Sequence, residues 1–225
     1  SISYLASNYF IPNEYDKLMS FIGSERTNAF TSTDMTVYVE DIPSNQIENW
    51  ARIEADRFMH PVIRGFHTEL ETVYEEKNMS LTNDFRKSLE AMDGILFADH
   101  PYGTQTVLGT QEHLKNPSVT NIKNYHKTYY VPNNMAICLS GDFDPDEMLS
   151  IIEKYFGQME PNKELPEVDF ETKTVIESPV SKEVYGLDAE NIMIGWKYPG
   201  AGTQEALVAD VVSYILSNGS AGLID

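Results

Sequence analysis

The spacing of apolar residues along the chain predicts several amphipathic helices. The longest signal runs from about Gly65 to Ala98, where apolar residues recur mostly at steps of three and four and leave a strongly acidic remainder. This period predicts one long helix. Shorter helical patterns, with Ser44, Ser118 and Asp144 as expected N-caps, cover Glu14–Gly23, Asn45–Met59, Gln111–Lys115, Ser118–Tyr129, Asp144–Phe156 and Thr203–Ser217.

Short β-branched and aromatic runs predict strands between these helices. Two such runs, Asn28–Ser32 and Thr36–Glu40, are separated by Thr33-Asp34. This arrangement is typical of a β-hairpin. Further strands are expected at Asn134–Ser140, Lys173–Ser178 and Asn191–Lys197. The order of these elements predicts the α+β fold class, with layered helices packed on a mostly antiparallel sheet.

Composition shifts divide the chain into three parts. Residues 158–171 carry two prolines and five acidic side chains, which is typical of a connector. We therefore expect an α/β domain over residues 1–157, an acidic proline-containing connector over 158–172, and the start of a strand-strand-helix unit over 173–225.

The charge balance excludes two classes of partner. The 225 residues contain 35 Asp or Glu and 16 Lys or Arg, for a formal net charge of −19. A phosphate-binding surface is built from clustered Lys and Arg, so nucleic acid is not an expected partner, and neither is an anionic membrane surface. The chain also lacks an apolar run long enough to predict a membrane span.

Cys138 is the only cysteine, so intramolecular disulfides and all-thiolate zinc sites are excluded. It lies in the apolar run Ala136-Ile137-Cys138-Leu139, which predicts a small buried hydrophobic side chain rather than a reactive thiol.

Candidate chemistry centres on the carboxylates of the long helical pattern. Glu69 and Glu76 are seven residues apart, so on a helix they fall within roughly 20° of each other, two turns apart. Such a pair can hold a divalent cation, or it can be a solvated acidic face. The spacing of His67 and Glu71 favours an interaction on the helix surface over a metal site. We expect His100 to fix its loop through a hydrogen bond rather than to act as a catalytic base.

Several segments, taken in order, resemble the insulinase/pitrilysin family of zinc metallopeptidases. They are GSERTNAFTSTDMTVYV at 23–39, FHTELETVYEEKN at 66–78, HPYG at 100–103, YYVPNNMAICLSGDFDPDEM at 129–148 and the closing SNGSAGLID. The resemblance covers essentially the whole chain. The combination of Asn28-Ala29-x-Thr31 with the Glu-x6-Glu pair is its most specific part.

The resemblance implies a fold like that of mitochondrial processing peptidase, zinc as cofactor and an extended peptide as substrate. It makes Glu76 a zinc ligand and places Glu69 near the metal as a supporting residue. It also implies that the substrate peptide docks on an edge strand containing Asn28, Ala29, Phe30 and Thr31, by β-augmentation. A partner half or subunit that closes the peptidase chamber is a further implied partner.

The family's His-x-x-Glu-His motif, which supplies two zinc ligands and the general base, does not occur in these 225 residues. Because the chain starts at Ser1 and stops just after a helical pattern, we expect a piece of a larger protein with that motif upstream. Such a piece should bind zinc weakly and hydrolyse no peptide. Two alternatives stay open: a catalytically inactive partner subunit or peptide-binding domain of the same fold, and an unrelated acidic α/β domain.

Overall fold

The computed structural model describes residues 13–63, 65–167 and 171–224. The described elements comprise helices, two short 3₁₀ turns at Ser44–Gln46 and Pro132–Asn134, and one antiparallel pair of strands. The helices are α1 (Glu14–Phe21), α2 (Ile47–Met59), α3 (Phe66–Ser80), α4 (Asp84–Leu96), α5 (Pro101–Thr104), α6 (Gln111–Lys115), α7 (Val119–Tyr129), α8 (Pro145–Phe156) and α9 (Gln204–Leu216). The strands are β1 (Arg26–Thr31) and β2 (Thr36–Asp41).

These elements confirm the α+β class, although the sheet is smaller than expected. In the described part of the chain, only β1 and β2 form a ladder, so the expected strands at 134–140, 173–178 and 191–197 are wrong. An apolar, β-branched run favours an extended backbone, but a strand also requires a neighbouring strand to accept and donate its hydrogen bonds. Cys138 is likewise exposed, not buried, because its run lies outside any ladder.

The long helix expected from Gly65 to Ala98 is two helices. Helix α3 ends at Ser80 and α4 begins at Asp84, with the side chain of Asn83 accepting a hydrogen bond from the backbone N–H of Arg86 at 2.8 Å. An asparagine at an N-cap satisfies a free donor of the new helix and ends the old one. The apolar steps continue through Leu81 and Phe85, which is why the period alone misses the break.

The remaining caps mostly follow the sequence. Ser118, Asp144 and Thr203 each accept hydrogen bonds from the first turn of their helices, and Pro145 occupies the first helical position of α8. Ser44 is an exception. It begins a 3₁₀ turn, and α2 starts three residues later without a side-chain cap.

The chain divides into two compact units. The first holds the described residues up to Ser80 and those from Thr106 to Glu167. Its core is formed by Met19, Ile22, Trp50 and Ala51, and α2 packs against α8 with the Trp50 and Phe156 rings 6.1 Å apart. None of the helices among the described residues has the length and apolarity that a membrane span requires.

The second unit holds residues Leu81–Gln105 and the described residues from Glu171 onward. Two carboxylates attach its extended segments to helix α4. Asp84 accepts hydrogen bonds from the backbone N–H groups of Leu187 and Asp188 at 2.5 and 2.8 Å. Asp99, beyond the other end of α4, accepts from the N–H groups of Lys173 and Thr174 at 2.5 and 3.1 Å.

Candidate functional site

The β-hairpin leaves one edge of β1 without a neighbouring strand among the described residues. Its register pairs Ala29 with Tyr38, and the turn is closed by a hydrogen bond from Ser32 N–H to the Met35 carbonyl at 2.8 Å. Hydrogen-bonded pairs alternate along an antiparallel ladder. Counting from Ser32, the backbone groups of Phe30 and Asn28 face β2, and those of Thr31, Ala29 and Thr27 face outward.

The residues of β1 are accessible along the whole strand. All six, Arg26 to Thr31, are exposed, and 55% of Phe30 is accessible to solvent. The outward N–H of Ala29 donates to the side-chain oxygen of Asn28 at 2.9 Å. The predicted docking residues Asn28, Ala29, Phe30 and Thr31 therefore lie on one open strand edge, the arrangement that β-augmentation requires. Their role in substrate binding stays a prediction.

The other strand is attached to the helices by a partly buried cluster that the sequence did not predict. The Arg57 guanidinium lies over the Tyr15 and Tyr38 rings, 4.3 and 4.6 Å from their centroids, and forms an ion pair with the buried Glu54. Tyr15 donates to Glu40 on β2 at 3.0 Å. Glu54 lies inside the helical pattern predicted over Asn45–Met59, and an acidic residue at a core position of that pattern was the available signal.

Burial changes the acid–base properties of this cluster. It raises the pKa of Glu54, and the neighbouring Arg57 charge only partly offsets that effect. Burial also raises the pKa of Tyr15, with the Glu54 charge adding to the increase. The pKa of Tyr38 is raised by burial and by its hydrogen bond with Tyr130, the hydroxyl oxygens being 3.2 Å apart. Both phenols are therefore neutral at physiological pH.

Glu69 and Glu76 lie on α3, and both are exposed. The shallow cleft along this helix, about 180 Å³ in volume, is lined by neither of them but by Leu70, Glu71, Tyr74, Glu75 and Leu114. The assigned roles of Glu69 and Glu76 stay predictions.

The donor set in the described residues does not make a zinc site. No group of three or more His, Cys, Asp or Glu side chains in the part of the chain that the structure describes is placed to hold a metal ion. Protein zinc sites use three or four ligands, and histidine and cysteine dominate among them. Glu76 alone, or with Glu69, does not meet that requirement.

His100 has the structural role expected of it. It is 3% exposed, it caps the short helix α5, and its Nδ1 accepts a hydrogen bond from the backbone N–H of Tyr102 at 3.1 Å. The His100 and Tyr102 ring centroids are 4.5 Å apart, and the Phe97 ring packs beside both. The HPYG segment is thus a packed turn in the second unit.

Comparisons with known proteins agree on one family. A family model described as the peptidase M16 inactive domain matches residues 118–224. An uncharacterized zinc protease of Mycobacterium leprae is 30% identical over 139 residues, 60% of this chain and 31% of that protein. Mouse insulin-degrading enzyme is 28% identical over 167 residues, 70% of this chain and 16% of that enzyme.

A protease of known structure from Helicobacter pylori shares the fold. It superimposes with a TM-score of 0.65 at 22% sequence identity, over 71% of this chain and 39% of that one. The chain is therefore similar to peptidases of the M16 family in sequence and in fold. The resemblance to insulinase and pitrilysin is thereby confirmed, and the M16 relatives support zinc as the cofactor of the family.

The M16 match has a defined extent. The chain spans less than a third of the length of these curated relatives, 31% of the mycobacterial protease and 16% of the mouse enzyme. A probable β subunit of mitochondrial processing peptidase from Schizosaccharomyces pombe, 27% identical over 140 residues, covers 61% of the chain and is matched over 30% of its own length. That relative is named as a subunit.

Proposed function

We propose that this chain forms the peptide-docking part of an M16 zinc metalloendopeptidase. An extended peptide would pair with the outward backbone groups of Thr27, Ala29 and Thr31 and extend the hairpin by one strand. The open edge of β1 is the observation that supports this proposal. An accessible strand edge is an aggregation hazard that proteins usually cover unless it serves binding.

In this proposal Glu76 is one zinc ligand and Glu69 supports the site. The described residues do not complete the ligand set, so hydrolysis needs groups from outside the part of the chain that the structure describes. In a complete enzyme, zinc would supply Lewis-acid chemistry. This chain's own contribution is to hold and orient the peptide backbone.

An inactive subunit or peptide-binding domain is the second candidate. The family model that matches residues 118–224 is that of the inactive M16 domain, which favours this candidate. Both candidates use the same strand edge to bind peptide. They differ in whether Glu76 contributes to a functional metal centre.

Proline substitution tests peptide docking, because proline removes a single backbone donor. Ala29→Pro removes an outward N–H and leaves the ladder bonds to β2 intact, which a strand edge tolerates. Thr36→Pro is the matched control, since by the same alternation its N–H faces the opposite edge of the hairpin. Binding is measured by fluorescence anisotropy with a fluorescein-labelled pool of unstructured peptides of random sequence.

The wild-type chain and Thr36→Pro should bind the peptide pool with similar affinity, and Ala29→Pro should bind up to about tenfold more weakly, the effect of losing one hydrogen bond. Equal binding by all three proteins, or no binding by the wild type, would contradict docking at this edge.

A further inference from the structure

Arg57 connects three elements of the first unit. It lies near the end of α2, its guanidinium is 4.3 Å from the ring centroid of Tyr15 on α1, and it is 4.6 Å from that of Tyr38 on β2. The neighbouring Phe58 ring is 4.8 Å away. An Arg57 nitrogen is also 3.8 Å from Glu40 on β2. One guanidinium thus contacts two side chains of the second strand.

The charges around Arg57 make its removal costly. Glu54 is only 2% exposed, and Arg57 is its ion-pair partner. Removing one partner of a buried pair leaves an uncompensated group in a low-dielectric site. The planar guanidinium also stacks on aromatic rings in a way that a lysine ammonium cannot reproduce.

A second set of contacts secures the same strand. The Tyr38 ring packs edge-on against Phe58 at 5.3 Å, and its hydroxyl meets that of Tyr130 at the end of α7. His126 stacks on Tyr130 with ring centroids 4.5 Å apart. The inner face of β2 is therefore packed against α1, α2 and α7, although β1 itself is exposed along its length.

The strand positions held in this way lie directly opposite the candidate docking groups. Tyr38 pairs with Ala29, and Glu40 pairs with Thr27. Ala29 and Thr27 are two of the residues whose backbone groups face outward. An exposed two-stranded hairpin is marginally stable by itself, so the order of the open edge depends on what holds β2.

We propose that Arg57 is a positioning residue for the peptide-docking edge, fixing β2 through Tyr38 and Glu40 and thereby ordering the outward backbone groups of β1. The inference rests on the proposed function. Arg57 itself touches no peptide. Its effect on binding is transmitted through the hairpin.

The test measures hairpin order and peptide binding separately. Arg57→Met removes the charge at similar length, Arg57→Lys keeps the charge without the planar stack, and Arg52→Met on the exposed side of α2 is the matched control. Hydrogen–deuterium exchange reports on the amides of Asn28, Phe30 and Val39, with the amides of α8 as an internal reference. Anisotropy with the labelled random peptide pool reports binding.

Hairpin exchange should rise about tenfold in Arg57→Met and less in Arg57→Lys, as expected from losing cation–π and ion-pair contacts. The α8 amides should change much less than the hairpin amides, and Arg52→Met should exchange as in the wild type. Peptide affinity should fall in the same order as hairpin protection. A purely global destabilisation would raise exchange in α8 equally, which would overturn the proposal.

Unchanged hairpin exchange in Arg57→Met would also overturn it. If Arg57→Met does not fold, hairpin exchange in Arg57→Lys tests the proposal. Hairpin amides as protected in Arg57→Lys as in the wild type would then overturn it. If the wild type binds no peptide, the proposed function fails. The exchange measurements still test whether Arg57 orders the edge.

Discussion

The side-chain oxygen of Asn28 accepts a hydrogen bond from the backbone N–H of Ala29 at 2.9 Å. This bond occupies an outward-facing donor on the open edge of β1. Short polar side chains that bond to neighbouring backbone groups compete with strand pairing. Asn28 therefore protects the edge locally in the free chain, and an incoming peptide carbonyl would take over the same donor.

Asn28→Ala should expose the Ala29 amide. Because the lost bond is solvent-exposed, we expect its hydrogen exchange to become roughly three- to tenfold faster, with no change in the ladder amides of Phe30 and Val37. Amide exchange resolved by NMR checks this, with Asn45→Ala in the exposed 3₁₀ turn as the control. An unchanged Ala29 rate would show that the Asn28 side chain does not protect the edge.

Gly103 in the HPYG segment should not tolerate a side chain. A Cβ at this position would collide with the backbone carbonyl oxygens of Phe97 and Asp93, which cannot move as a flexible side chain can. Gly103→Ala should therefore lower the free energy of unfolding by about 1–3 kcal/mol. Gly200→Ala is the matched control, since its Cβ would meet no atom within 4 Å.

Denaturant unfolding followed by circular dichroism measures both glycine variants. The control should stay within about 0.5 kcal/mol of the wild type. Equal stability of Gly103→Ala and Gly200→Ala would mean that the turn relaxes to admit the methyl group, and the packed HPYG turn would then be less constrained than its contacts indicate.

The features predicted most accurately from the sequence are those that depend on residues close together in the chain. Helix α6 has the expected bounds, and the caps Ser118 and Asp144 act within one turn of their own positions. The break at Asn83 was missed because Leu81 and Phe85 continue the apolar steps across it. Asn83, a residue type that caps helices, lies inside the apolar period from Gly65 to Ala98, and it was the signal for two helices.

Features that depend on distant residues could not be predicted in this way. The expected strand at 134–140 has the right residue types, but pairing depends on a second segment that the pattern does not identify. The Arg57 cluster brings Tyr15, Tyr38 and Tyr130 together from separate parts of the chain. The resemblance did locate the open strand with Asn28 and Ala29, because that motif is contiguous.

Acid should release the segment held by Asp99. The Asp99 carboxylate accepts hydrogen bonds from the side chains of Thr174 and Thr172 and from backbone N–H groups, which lowers its pKa well below the usual range. Folding lowers this pKa, so the stabilisation is fully present above the unfolded value of about 3.9. It is lost as the pH falls through the lower folded-state pKa.

NMR shifts of the Lys173 and Thr174 amides, followed from neutral to acidic pH, check this dependence. In the wild type both should stay constant through about pH 4 and then move together as Asp99 is protonated. Asp99→Asn should remove that acidic transition and leave the segment less protected at neutral pH. A wild-type transition centred at or above the ordinary value of about 3.9 would contradict the lowered pKa.

Zinc binding by this chain alone should be weak. Glu76 offers one strong oxygen ligand and Glu69 a second at most, and the described residues provide no cluster of three donors. Two carboxylates without nitrogen ligands suit a hard cation such as calcium or magnesium better than zinc. Calorimetric titration should therefore detect no sub-micromolar zinc site, and Glu76→Gln should titrate like the wild type.

The matched variant Glu75→Gln, one residue away on α3, controls for the loss of one surface charge. Sub-micromolar zinc binding that Glu76→Gln abolishes and Glu75→Gln retains would show that the chain completes a metal centre by itself, and the active-enzyme candidate would then need no residues from outside it.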